Sequence, residues 1–246
     1  MKTLNEFIVE RIGTGQNDQR KESAAALIGS APELEELAKY SYSEDSNRWY
    51  TKAWWSDGVT FKNGGYFIKL KGMSGSQGSN GFYLDGVPAS GLKYPIKNIK
   101  ITDKNRERGV FMLKNIQSDI PNIFAPDAVI DANELYFSEC GIKNLEGLPY
   151  NVDVNCLSFY KCPKLKSFSG LNTTGEIKKL MFLNCSGAVT ADLLASIPEE
   201  IKATIQEVEI RDSLSNELKK MSPADISIKF FGQNCPAHNS GKVIIY

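Results

Sequence analysis

Three segments of this chain repeat one frame of apolar residues and cysteine. Each begins Leu-x-Phe-x-x-Cys, and successive phenylalanines are 22 and 23 residues apart. Alternating apolar residues turn one face of a short strand toward a core, but a single copy cannot bury that face alone, so several must stack. The copies read LYFSECGIKNLEGLP, LSFYKCPKLKSFSGL and LMFLNCSGAVTADLL, and they begin at Leu135, Leu157 and Leu180.

This frame resembles the leucine-rich repeat, whose short form reads L-x-x-L-x-L-x-x-N/C-x-L. The resemblance implies a short solenoid in which each copy contributes one strand. The cysteine or asparagine then lies where the chain bends inward, and its small polar side chain satisfies backbone groups of the neighbouring coil. An ordinary antiparallel sheet that places three cysteines alike is the alternative. In both cases the cysteines belong to the core.

Weaker copies extend the array in both directions. We expect strands in VFMLKNI, VEIRDSL and ISIKFFGQN, and KVIIY as a last strand or cap. In the longer step that leads from the third Cys-containing copy to VEIRDSL, TADLLASIPEEIKATI predicts a helix that starts at Thr190 and is divided by Pro198. The predicted strand and bend positions are Val110, Met112 and Asn115, then Val208, Ile210 and Ser213, then Ile228, Phe230 and Gln233.

Upstream of about residue 95 the pattern changes. PELEELAKY predicts a helix with Pro32 in its first turn, and the stretch from Asn47 to Gly72 predicts strands with turns at Asp57-Gly58 and Gly64-Gly65. MSGSQGSNGFYLDG, rich in Gly and Ser, predicts a loop. The expected fold class is therefore α+β: a small N-terminal α+β lobe over residues 11–95, which also caps the first coil, then a short leucine-rich-repeat-like solenoid over residues 96–246.

Composition excludes several classes of function. The chain has 29 Lys and Arg against 29 Asp and Glu, so it has no basic field that would capture nucleic acid or an anionic membrane. No apolar run approaches the roughly 18–20 residues that span a bilayer. The five cysteines show no CxxC spacing, which favours reduced thiols and predicts neither a metal nor a cofactor. They are Cys140, Cys156, Cys162, Cys185 and Cys235.

Candidate catalytic groups are few, and each has a simpler explanation. Cys235 and the single histidine, His238, could pair as nucleophile and base, but they lie in a turn-like segment. Glu207-Val208-Glu209 looks like the Glu-x-Glu of ADP-ribosyltransferases, although the companion Ser-Thr-Ser motif is missing. An aromatic and basic cluster around Trp49 and Trp55 could stack bases or sugars, or form a small core. The sequence assigns no catalytic residue and favours a protein without enzymatic activity.

The first ten residues, MKTLNEFIVE, form a separate signal. Leu4, Phe7 and Ile8 share one apolar face of a short helix, and Gly13-Thr14-Gly15 follows. Such a short helix is marginal in isolation, so it must dock on something. Packing on the body of this protein is the plainest alternative.

MKTLNEFIVE closely resembles the capsid-targeting peptide of internal head proteins in large tailed phages that mature their proheads by proteolysis. In that family the prohead protease cuts after Glu in a Leu/Ile-x-Glu motif. Ile8-Val9-Glu10 fits this rule, with the cut expected between Glu10 and Arg11. The resemblance implies that residues 1–10 are a propeptide recognised by the prohead scaffold and protease. It also implies a protein inside the capsid that is ejected with the DNA into the host cytoplasm.

These observations lead to one functional hypothesis. The chain without residues 1–10 stays near neutral charge, so a specific host protein fits better as its target than packaged DNA does. Such a target would be a defence or nuclease component, bound and inhibited through the repeat strands. The alternatives are an ejected enzyme and a repeat protein that is not packaged. The candidate contact residues face outward between core positions: Tyr136, Ser158, Tyr160 and Met181. Of these, Tyr136, Tyr160 and Met181 are expected to form a single row.

Overall fold

The computed structural model describes residues 33–45, 48–50, 59–70, 80–101, 109–117, 119–120 and 122–246. This part of the chain has a mixed α/β fold, in which few helices accompany one large sheet of twelve mostly parallel strands. The strands are β1 (Ser41–Asp45), β2 (Arg48–Tyr50), β3 (Val59–Lys62), β4 (Gly65–Leu70), β5 (Asn80–Asp85), β6 (Ile96–Ile101), β7 (Gly109–Lys114), β8 (Phe124–Ser138), β9 (Asn151–Tyr160), β10 (Lys179–Leu183), β11 (Glu207–Arg211) and β12 (Val243–Ile245). The helices are α1 (Glu33–Tyr40), α2 (Ala191–Ala195), α3 (Glu199–Lys202), α4 (Pro223–Phe230) and α5 (Pro236–Asn239), with a 3-10 turn at Leu218–Lys220.

The sheet divides into two branches at β8, a strand of 15 residues. The first half of β8 pairs with β6, which leads on to β4 and β3. Its second half pairs with β7, which leads on to β5, β1 and β2. On the opposite side β9, β10, β11 and β12 follow in chain order, all parallel. The predicted domain boundary between residues 95 and 96 falls inside this sheet, because β4 pairs with β6 across it.

The strand register explains why the repeat frame needs Leu and Phe at fixed positions. Parallel pairing places equivalent residues side by side, so their side chains form continuous buried rows on one face of the sheet. In the second row the phenylalanine rings stack, with centroids 5.2 Å apart from β8 to β9 and 5.5 Å apart from β9 to β10. The two rows are Leu135, Leu157, Leu180 and Val208, then Phe137, Phe159, Phe182 and Ile210.

Each strand from β7 to β11 is followed by a residue with left-handed backbone, with φ between 48° and 56°. The residue after that one is buried. In the three Cys-containing copies its thiol donates a hydrogen bond to a carbonyl of the neighbouring strand; Cys140, for example, reaches Leu113 at 3.3 Å. The expected core role of these cysteines is confirmed, because they are buried and satisfy backbone acceptors. The left-handed residues are Asn115, Glu139, Lys161, Asn184 and Asp212.

The weaker copy at VFMLKNI has its strand one residue away from the predicted frame. Phe111 pairs with Leu135 and Leu113 pairs with Phe137, so these residues face the core rather than Val110 and Met112. Asn115 is the left-handed residue, and Ile116 takes the buried place held by cysteine in later copies. The prediction failed because Val110 to Leu113 are all apolar, so either set of alternate residues could form the buried face.

Two further predictions of local structure are wrong. The segment around Ile228 and Phe230 belongs to α4, whose start is fixed by Ser222; the Ser222 side chain accepts a hydrogen bond from the Asp225 amide at 3.1 Å. Pro223 occupies the first turn, where its missing N–H costs nothing. The predicted Gly/Ser-rich loop contains β5 at its end, and Phe82 and Leu84 continue the two buried rows.

Other predicted elements are confirmed. Helix α1 covers most of PELEELAKY, and β11 and β12 occupy VEIRDSL and KVIIY. Thr190 caps α2 by accepting a hydrogen bond from the Leu193 amide at 3.1 Å. Pro198 separates α2 from α3.

Candidate binding surface

The face of β8 to β11 opposite the core carries the predicted contact residues. We call this surface the outer face, and it consists of alternating, mostly half-buried positions on these strands. Tyr136, Ser158 and Met181 lie side by side in one row. Tyr160 lies in the next row, beside Ser138 and Leu183, so the expected single row of Tyr136, Tyr160 and Met181 is wrong.

Burial divides the four predicted residues into two kinds. Tyr136, Tyr160 and Met181 are partly exposed, whereas Ser158 is only 1% exposed. Ser158 therefore forms the floor of the outer face, and the larger side chains around it supply the area that another molecule could contact. Whether these residues bind a partner stays a prediction.

A neighbouring row on the outer face was not recognised in the sequence, apart from its last member. Pairing of equivalent positions brings Glu134, Cys156, Lys179 and Glu207 together on four adjacent strands. The Cys156 sulfur lies 3.3 Å from the Ser158 hydroxyl oxygen and 3.8 Å from the Met181 sulfur. Each member lies two residues before a predicted contact position or its equivalent, so strand alternation alone could have revealed the row.

Ion pairs hold the charged side chains at the β10–β11 end of the outer face. The Lys179 ammonium lies 2.5 Å from the Glu207 carboxylate and 3.6 Å from that of Glu209. Arg211 contacts Glu209 at 2.7 Å, and its guanidinium also lies 5.3 Å from the centre of the Tyr246 ring. Both carboxylates of the Glu-x-Glu motif therefore have basic partners. Ion pairing on the face of a strand therefore accounts for the two glutamates of the motif.

In the middle of the outer face, burial favours the protonated, neutral forms of the ionisable side chains. Burial raises the pKa of the Glu134 carboxyl, and a hydrogen bond from Ser158 and the charge of Lys179 only partly oppose this effect. Burial, followed by the nearby Glu134, raises the pKa of Cys156 to about 12. The same two causes raise the pKa of Tyr136 to about 12. The thiol is accordingly protonated at neutral pH and is a poor nucleophile.

Glu134→Gln is expected to raise the free energy of unfolding at neutral pH. A carboxyl whose pKa is higher in the folded state binds more protons there, so its contribution to stability falls as pH rises from the ordinary Glu value near 4.3. Glutamine cannot ionise, so this loss of stability does not occur in the variant. Its side-chain oxygen can still accept a hydrogen bond from Ser158. Urea unfolding of both proteins across pH should show curves that approach each other below about pH 4. A variant less stable than the parent at neutral pH would contradict this explanation.

The other candidate groups have structural partners. The Nδ1 atom of His238 lies 2.8 Å from the Ser227 hydroxyl oxygen, which links α5 to α4. Cys235 is buried and donates to the Ile205 carbonyl at 3.6 Å. Across the described ranges, no group of three or more His, Cys, Asp or Glu is placed to hold a metal ion. No helix in the described part of the chain is both long and apolar enough to span a bilayer.

The targeting and cleavage residues predicted at the N-terminus lie outside the described residues. They are Leu4, Phe7, Ile8, Glu10 and Arg11. The side chains of the aromatic cluster around Trp49 and Trp55 are likewise outside the described part of the chain.

Comparison with known proteins gives no family assignment. No protein-family model, curated protein or solved structure matches this chain. Its function therefore has to be inferred from its own residues and geometry.

Proposed function

We propose that this protein is a phage internal head protein that binds and inhibits a host protein, using the outer face of a leucine-rich-repeat-like solenoid. The solenoid part of the proposal is supported by parallel strands in register from β7 to β12, each of the first five followed by a left-handed residue. Strands stacked in this way form a firm sheet whose outward positions vary without disturbing the core.

The observation that carries the binding part of the proposal is the composition of the outer face. Partly exposed Tyr136, Tyr160 and Met181 surround a polar floor, and ion pairs order the charged side chains beside them. Tyrosine, methionine and arginine are enriched in protein interfaces, where rigid aromatic side chains serve as anchors. The thiol in this face is protonated, so its chemistry favours contact over catalysis.

The delivery part of the proposal rests on MKTLNEFIVE. The peptide would bring the chain into the prohead, and cleavage between Glu10 and Arg11 would release residues 11–246 for ejection with the DNA. A host defence or nuclease component fits as the target, because an ejected protein meets such enzymes first. The near-neutral charge of the chain supports a protein target in preference to packaged DNA.

Tyr160→Asp is expected to abolish retention of a host protein in affinity purification from host lysate. A carboxylate at this position, beside Ser138 and Leu183, would replace the aromatic side chain and would have to be desolvated in the complex. Tyr150→Asp is the matched control, because Tyr150 is 68% exposed just before β9 and outside the rows of the outer face. Circular dichroism verifies that both variants fold. A host protein retained equally by both variants would exclude this face as the binding site.

Particles of the producing phage provide the test of delivery. We expect mass spectrometry of purified particles to detect this protein with Arg11 as its first residue. Glu10→Gln should leave the peptide attached, because the protease requires Glu at the cut. Absence of the protein from particles, or its presence with Met1–Glu10 intact, would exclude the packaged and processed form and favour a repeat protein that acts elsewhere.

A further inference from the structure

Glu134 and Tyr136 stand out on the outer face because of their neighbours. They lie two residues apart on β8, so both side chains face the same way, and after burial the nearby Glu134 is the next cause of the raised pKa of Tyr136. On the β7 side, the residue beside Glu134 is the apolar Val110. On the β9 side lie Cys156 and Ser158, both uncharged at neutral pH. Neither residue paired with Glu134 on the adjacent strands is basic, and the positive charge that acts on it comes from Lys179 on β10.

The basic side chains of β10 and β11 on this face are engaged by carboxylates, and Lys114 of β7 lies in the row of Ser138, not in that of Glu134 or Tyr136. Lys179 is held by Glu207 and Glu209, and Arg211 is held by Glu209. Within the described part of the chain, Glu134 forms no ion pair. Among the described residues of the outer face, Glu134 accepts from Ser158 and is the carboxylate with no basic group within ion-pair distance.

The same contrast holds for the tyrosines. Lys161 lies 5.1 Å from the centre of the Tyr160 ring, and Arg211 lies 5.3 Å from that of Tyr246. Among the described residues, no cation lies over the ring of Tyr136. Within the described ranges, this aromatic ring and the neighbouring carboxyl group have no cation in direct contact, and both side chains are partly exposed.

We infer that the bound partner places an arginine side chain at this position, with its guanidinium over the Tyr136 ring and its N–H groups directed to the Glu134 carboxylate. The inference rests on the proposed function, since it requires the outer face to bind a protein. A planar guanidinium satisfies both neighbours together, because it stacks on an aromatic ring and donates two parallel hydrogen bonds to a carboxylate. A lysine ammonium is more strongly hydrated and lacks the planar fork, so it fits this pair less well.

The test selects ligands for the full chain from a random peptide library. Peptides that bind the parent and Tyr150→Asp, but not Tyr160→Asp, count as ligands of the outer face. We expect these peptides to contain an arginine whose replacement by glutamine weakens binding roughly tenfold or more. Glu134→Gln should weaken the same peptides to a similar degree, and the two changes together should cost little more than either alone.

A matched control and clear contrary results complete the test. Glu200→Gln changes an exposed carboxylate on α3 and should leave the dissociation constant unchanged. Outer-face peptides that are indifferent to Glu134→Gln, or that accept lysine for arginine without loss, would overturn the arginine inference and leave the proposed face standing. A library without any outer-face ligand would contradict the proposed face, and the arginine inference with it.

Discussion

Phe159→Ala is expected to lower the free energy of unfolding by about 3–5 kcal/mol, the largest single effect of the substitutions considered for this chain. Phe159 is fully buried, with its ring stacked between those of Phe137 and Phe182. Phe168 meets the same ring edge to face, with centroids 5.9 Å apart. Truncation therefore leaves a cavity bordered by three buried aromatic rings, two of which are fixed on β8 and β10, and these rings cannot easily close it.

Tyr160→Ala is the matched control for this measurement. It removes a similar aromatic side chain from the next residue, but this side chain lies on the outer face and is partly exposed. Urea unfolding monitored by circular dichroism should give a much smaller loss for Tyr160→Ala than for Phe159→Ala. Equal losses would contradict the register, because a shift of one residue exchanges the two faces of a strand.

The three Cys-containing copies were predictable from the sequence because several signals agree within each of them. Strand alternation, the apolar residues and the small polar residue at the bend all specify one register. The copy at β7 lacks this agreement: Val110 and Met112 are apolar, and so are Phe111 and Leu113. Tertiary pairing with β8 decides between the two alternations, and a sequence pattern carries no information about that pairing.

At α4, the residues that start a helix determine the structure, although the apolar residues fit the alternation of a strand. Ile228 and Phe230 fit a strand alternation, yet Ile228 is 61% exposed on α4. Ser222 followed by Pro223 is a strong helix start, and it outweighs a short alternation of ambiguous period. Strand β5 was missed for a similar reason: the high Gly and Ser content of the segment was given more weight than the alternation of Phe82 and Leu84.

The outer face was predictable only in part. Outward positions follow from alternation within one strand, which placed Tyr136, Ser158 and Met181 on one side of the sheet. Which of them lie beside each other depends on pairing between strands, so the displaced position of Tyr160 was not foreseen. The surroundings of Glu134 were not predicted for the same reason, because they depend on Val110, Cys156 and Lys179 from three other strands.

Gly170→Ala is expected to destabilise the protein by more than the usual cost of a side chain in the left-handed region, which is about 1–2 kcal/mol. Gly170 has φ +89°, and an added Cβ would lie 2.4 Å from the Glu146 nitrogen and 2.5 Å from its Cα. Both contacts are with backbone of the segment between β8 and β9, which cannot move without disturbing the hydrogen bond from the Leu145 amide to the Ser169 carbonyl. Overpacking of this kind adds about 1–3 kcal/mol.

Gly187→Ala separates the two contributions in the same unfolding experiment. Gly187 has φ +80°, but a Cβ there would meet no atom closer than 3.7 Å, so only the conformational cost remains. The difference between the two variants therefore measures how closely the segment after β9 packs on the segment after β8. Equal losses would mean that these two segments have room between them. A clear excess for Gly170→Ala would indicate that backbone contact between successive connecting segments, in addition to the buried rows, determines the spacing of the strands.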